Sequence, residues 1–270
     1  MSGIHFVDGK FKPSYINPIT GMPYDVNWIF LEVTDDDSYN LFSGGNANVL
    51  RLAISKKCDS WQYRVCDFIE YELSYGKHII LSISKDDYED AKQVYKEHSF
   101  KDNFLRPYEK NILVHSTTLD GFKSILQDKA LKSWNMLKQE GTINESKPIG
   151  ALLGDHEEYS DYIMFTHGGV TGEIIVNSKH HGRIIMSKNE EYVPGARLYF
   201  DAELIAKDGL LIRDGGHIKV KNNLPLEKYL MWYATIDNID MKGLKITPYN
   251  FAMESDKEFE RLFSIELEKR

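Results

Sequence analysis

The run Ile112-Leu113-Val114-His115-Ser116-Thr117-Thr118 constrains this chain more than any other segment. Its apolar residues stop abruptly at a His-Ser-Thr corner, and Leu119, Phe122, Ile125 and Leu126 then recur at helical spacing, with Leu131 beyond them. A buried strand therefore hands over to an amphipathic helix, and delivers a histidine to its mouth. Thr117 or Thr118 is the expected N-cap. The free N–H groups and positive dipole end of the helix favour an anionic ligand beside His115. The same residues also serve as a plain capping and turn device, so the chemistry has to be argued from the rest of the chain.

At 270 residues with 42% apolar content, the chain is long enough for one large domain or two small ones with a proper core. Cys58 and Cys66 stand apart from any Cys/His group at ligand spacing, which predicts reduced structural thiols, a cytoplasmic setting and no metal. The amino terminus lacks a basic stretch followed by an apolar one, and no run of apolar residues is long enough to span a bilayer, so no membrane partner is expected. The net charge of −8 repels phosphate backbones, and any nucleic-acid contact must come from a local basic patch. Lys179 to Arg183, with His180 and His181, and Lys219 with Lys221 are the candidates; solvated loop and strand faces are the simpler reading of each.

Along the chain, the first 25 residues read as turns and extended segments with little regular structure. Trp28 to Val33 reads as a strand, Ala47 to Ile54 and Trp61 to Tyr75 as helices, and His78 to Ile83 as a second buried strand. A helix capped by Asp86 or Asp87 runs to about His98 with Tyr88, Ala91, Val94 and Tyr95 on one face. This predicts an N-terminal α/β module over residues 1–107, closed by Arg106-Pro107.

A strand-helix unit opens at Asn111. After the polar stretch from Lys138 to Pro148 come short strands at Tyr162 to Thr166, Glu173 to Val176, Arg183 to Met186, Arg197 to Asp201, Leu210 to Arg213, His217 to Val220 and Leu230 to Ile236. A last helix follows Ser255 with Phe259, Leu262 and Phe263 inward. The expected class is α+β, in which residues 108–270 form two packed, mainly antiparallel sheets with few helices.

Two stretches carry a family likeness: ILVHSTTLDGFKSILQDKALKS, and the segment from Ala196 to Tyr229 with Asp201-Ala202, Asp208-Gly209, Ile218 to Val220 and Leu224-Pro225-Leu226 leading to Tyr229. In order and spacing they resemble the ADP-ribosyltransferase fold, nearest to RNA 2′-phosphotransferases and then to DarT-type DNA ADP-ribosyltransferases. The likeness covers residues 110–236, about half the chain. It implies NAD as the substrate, with His115 holding the adenosine-side ribose and Ser116 and Thr117 beside it. Tyr162 or Phe165 would stack on nicotinamide, because a flat cationic ring pinned on an aromatic face presents its glycosidic carbon to a nucleophile.

Many members carry a Glu at the start of the last catalytic strand, and His217 stands there in this chain. The RNA 2′-phosphotransferases lack that Glu and lean on arginines, which makes Arg197 and Arg213 catalytic candidates with His217. Transfer of ADP-ribose to a nucleic acid or nucleotide acceptor is the activity the resemblance implies. The alternative is a non-catalytic protein of the same fold that binds a nucleotide or a partner, as an inhibitor or sensor in toxin or phage conflict. The N-terminal module is unlike the winged-helix lobe of the RNA 2′-phosphotransferases and is a candidate surface for a protein partner. Either activity requires that His115 and the segment from 213 to 220 meet across one crevice shaped for a dinucleotide.

Overall fold

The computed structural model describes residues 3–7, 14–36, 41–46, 49–145, 147–153 and 155–267. The first sheet is built from β1 (Ile4–Phe6), β2 (Trp28–Thr34), β3 (Leu41–Asn46), β4 (Val49–Ser55) and β5 (His78–Ser82), in the order β1-β5-β2-β4-β3. All neighbours are parallel except the edge pair β3–β4. The near-continuous apolar runs of β2 and β5 suit strands covered on both faces. α1 (Trp61–Ser74) and α2 (Lys85–Tyr95) lie on one side, packing Trp61, Val65, Phe68 and Ala91 against Ile29, Leu31, Ile54 and Leu81.

Two expectations change here. Residues 49 to 54 are strand rather than helix, and positions 47–48 lie outside the described residues; a short apolar run has no periodicity to tell the two apart. The opening segment contributes the parallel edge strand β1.

Beyond Arg106 the chain forms β6 (Ile112–Thr117), α3 (Leu119–Asp128), β7 (Ala130–Lys132), α4 (Trp134–Gln139), β8 (Tyr162–Phe165), α5 (Thr171–His181), β9 (Ala196–Asp201), α6 (Ala202–Lys207), β10 (Leu211–Arg213), β11 (Ile218–Lys221), β12 (Asn223–Pro225), α7 (Leu226–Tyr229), β13 (Leu230–Ala234) and α8 (Pro248–Phe263). They make two three-stranded antiparallel sheets, β10-β11-β8 and β13-β9-β6, and the small ladder β12-β7. A single bridge between Val114 and Thr166 joins the two sheets along β6 and β8. Leu113, Ile163, Phe165, Leu198, Phe200, Ile218 and Val220 fill one face of this pair, under Phe122 of α3 and Ile205 of α6. The molecule is thus mixed α and β with several small sheets.

The later half is richer in helix than its sequence suggests. Residues 173 to 176 belong to α5, and 183 to 186 form irregular chain after Gly182 closes that helix in a left-handed conformation. Glu173 is the reason: it faces inward to pair with Arg197, so an apparent strand is one side of a helix. The last helix begins at Pro248 behind an N-cap at Thr247, seven residues ahead of Ser255, which is buried inside it. Phe259 faces the core, while Leu262 is exposed. Among the described residues no helix is long and apolar enough to cross a membrane.

Candidate functional site

The β6–α3 corner forms as its sequence dictates. Thr118 is the N-cap of α3, and its hydroxyl accepts from the Gly121 N–H at 3.2 Å. His115 stands half-buried at the seam of the two sheets, its ring 5.9 Å from that of Phe165. Its Nδ1 lies 3.0 Å from the Met164 carbonyl oxygen, so Nδ1–H donates there and the neutral ring keeps Nε2 as a hydrogen-bond acceptor. Burial pushes the imidazole below its usual value, which favours that neutral form. Nε2 has no partner among the described residues. Ser116 turns the other way, donating to Glu173 at 2.6 Å, and Thr117 completes the strand, half-buried.

The other named residues do not converge on this corner. Arg197 is fully buried beneath α5 and α8, with Glu173 at 2.7 Å, Asp256 at 2.8 and 3.0 Å, and the Tyr199 hydroxyl at 3.1 Å. Arg213 makes a bidentate pair with Glu109 at 2.6 and 2.7 Å, and gives a further bond to the Phe104 carbonyl. Both guanidiniums are spent on carboxylates, and neither has a donor directed at solvent for a phosphate.

His217 is separated from His115 by the sheet itself. Ile218 and Val220 enter the core with Phe165, so the alternate residues of β11 point to the opposite face. There Lys219 lies 3.9 Å from the Tyr159 ring centre, and the His217 ring is 5.5 Å from Tyr159. Phe165 and Ile218, directly paired across the strands, fill the space the proposed crevice would need. Tyr162 also faces the far side, against Tyr71 and the Tyr75 hydroxyl, which leaves Phe165 as the aromatic beside His115.

The far face holds a second polar cluster that the sequence reading did not assemble. Asp214 is buried, ion-paired to Lys219, with His217 Nδ1 at 3.3 Å and the His217 backbone N–H at 2.6 Å. Burial alone would raise its carboxyl, but Lys219 and His217 hold it well below the usual carboxylate range. Burial pulls the Lys219 ammonium down against the attraction of Asp214. The hollow lined by Leu50, Phe68, Tyr159, Asp214 and His217 is narrow, and the His217 side chain remains a third exposed beside it. Lys219, read as part of a basic patch, is therefore a core residue in an aromatic cage. Lys179, His180 and His181 form the exposed last turn of α5, where the Lys179 charge suits the helix dipole.

Against the same cluster lies Glu72 of α1, fully buried, with neither carboxylate oxygen hydrogen-bonded. Burial, with the charge of Asp214, pushes it up to about 8. Its signal was present in the sequence: Trp61, Val65, Phe68 and Glu72 share one stripe of the helix, which puts a carboxylate on an apolar face. One ligand atom from each of Glu72, His156 and Glu158 lies within 4.8 Å of the others. Cys58 and Cys66 are free and buried, and burial pushes the Cys66 thiol up to about 12, which keeps it unreactive.

Set against known protein families, curated proteins and solved structures, the chain matches none.

Proposed function

We propose that the β6–α3 corner of this chain captures a nucleotide by its ribose and phosphates beside His115, without the two-walled dinucleotide crevice that ADP-ribose transfer would need. The observation that carries the reading is the neutral His115. With Nδ1–H committed to the Met164 carbonyl, Nε2 offers a lone pair to a hydroxyl donor, which is what a ribose edge supplies. Phe165 beside it gives an aromatic contact, and the N-terminus of α3 gives a favourable field for the attached phosphates. The two antiparallel sheets meeting at β6 and β8 support the family resemblance.

Capture is favoured over transfer because the reacting end is not served. His217 faces the opposite side of β11, and Arg197 and Arg213 are saturated by carboxylates. A transferase needs a polar group at the nicotinamide ribose that stabilises the developing positive charge. Calorimetry with NAD and with ADP-ribose, run beside a nicotinamide-release assay, tests this directly. Binding of both ligands without release is expected, with His115→Ala weakening affinity by about 1 to 3 kcal/mol while the protein stays folded. Nicotinamide release would restore the transferase reading with a nucleic acid or nucleotide acceptor. Equal affinity in parent and variant would remove His115 from the site.

A further inference from the structure

We propose that Glu72, His156 and Glu158 form a binding site for a divalent first-row transition cation of the zinc class. These residues come from two separate parts of the chain: Glu72 from the last turn of α1, and His156 and Glu158 from the start of the short helical turn ahead of β8. The topology nevertheless gathers one donor atom from each within 4.8 Å. Zinc–ligand bonds of roughly 2.1 Å set tetrahedral donors about 3.4 Å apart, so closure asks for side-chain adjustments on the order of 1 Å.

The independent observation is Glu72 itself. A carboxylate with no exposed surface and no hydrogen-bond partner on either oxygen is costly, and the native state keeps such groups where something else completes them. The group stands beside two further ligands whose side chains keep 12% and 13% of their surface exposed, so the cluster is mostly shielded but touches solvent. His156 Nδ1 is 3.1 Å from Glu158 Oε1, so these two donors already share one small volume.

The donor set also selects the ion. Two carboxylates and one imidazole match zinc-class cations, whereas magnesium and calcium prefer all-oxygen shells. A +2 ion balances the two carboxylates, and Lys77 Nζ, 3.7 Å from Glu158, is the cation now standing nearest that carboxylate. Lys219 is not free to do this, being paired with Asp214. Three protein ligands leave a fourth position for water or another oxygen donor. The site stands on the face opposite His115 and does not depend on nucleotide binding.

Chelator-treated full-length protein titrated calorimetrically with zinc chloride, and separately with magnesium chloride, tests the assignment. One equivalent of zinc is expected to bind and magnesium to bind far more weakly. Outer-shell partners alone carry 10- to 100-fold of a metal's affinity, so Glu72→Gln and His156→Ala, which remove ligands, should each cost more than roughly 100-fold. Glu157→Gln, on the exposed neighbour, should cost nothing. Cobalt loading gives a second readout: the visible absorption of the bound ion should vanish in His156→Ala and Glu158→Gln. These two replace side chains that still touch solvent, unlike Glu72, and keep the test standing if Glu72→Gln does not fold. Absence of zinc binding to the parent, or parent-like binding by the folded ligand variants, overturns the proposal.

Discussion

Individual charged side chains in this protein divide into those that hold the fold and those free to meet a ligand, and burial with pairing decides which. Arg197 belongs to the first group. Its three nitrogens are matched to Glu173 and Asp256 in a space without solvent, so Arg197→Met leaves two buried carboxylates uncompensated. Breaking a buried pair by removing one partner costs about 3 to 5 kcal/mol, and denaturant midpoints should fall accordingly, with partial recovery if Glu173 and Asp256 are then neutralised together. A parent-like midpoint for Arg197→Met would show that the arginine is not structural. His115 belongs to the second group and carries a pH signature. Its folded value lies below the ordinary histidine value of about 6.5, so at and below that pH the unfolded chain binds the proton more readily. Stability from this group is therefore intact at alkaline pH and declines as pH falls through about 6.5 toward the lowered folded value. His115→Gln should flatten that part of the stability profile, read as urea midpoints across mildly acidic buffers, and an unchanged acid slope would contradict the assignment.

At the scale of elements, the chain announced those whose apolar pattern was long or sharply bounded. The strand at Trp28 to Thr34, the helix from Trp61 to Ser74 and the β6–α3 handover were all visible, because a continuous apolar run, a helical stripe and a hydroxyl N-cap each have a distinct signature. What was hidden depended on partners far along the chain. β4 and the first turns of α5 carry apolar runs too short to reveal their period, and the second is fixed as helix by the inward turn of Glu173 toward Arg197. The site followed the same division. His115 was legible because a strand end is a local fact, but its separation from His217 rests on which face of β11 meets the core, and that parity is set by Phe165 on another strand. Glu72 carried its own signal on the apolar stripe of α1, yet its companions His156 and Glu158 lie in a polar stretch with no periodicity to point inward.

At the scale of the molecule, the division expected at residue 107 separates the sheets but not the buried charges. The five-stranded sheet ends at Ser82 and the remaining strands begin at Ile112, yet Arg213 reaches back across that junction to the Phe104 carbonyl at 2.7 Å and to Asp102 at 3.3 Å. Arg64 of α1 donates to the Gly215 carbonyl at 3.1 Å, and Lys219 lies 3.8 Å from the ring centre of Tyr71. Cutting the chain between 107 and 108 would strip Asp102 from Arg213 and Tyr71 from Lys219, and expose Ile212, Tyr159, Tyr162 and the Lys219–Asp214 pair to water. Ion pairs formed in the apolar environment of an interface lose their compensation when one side is removed, and the apolar cluster around them loses its cover. The isolated 108–270 fragment should therefore lack a cooperative melt, while the full chain unfolds with coincident near- and far-ultraviolet circular dichroism transitions. A fragment that melts cooperatively with native near-ultraviolet dichroism, or two resolved transitions in the whole chain, would establish two independent domains. In that event Arg213 and Lys219, with the partners they meet across residue 107, would be a docking seam between them rather than part of a single folding unit.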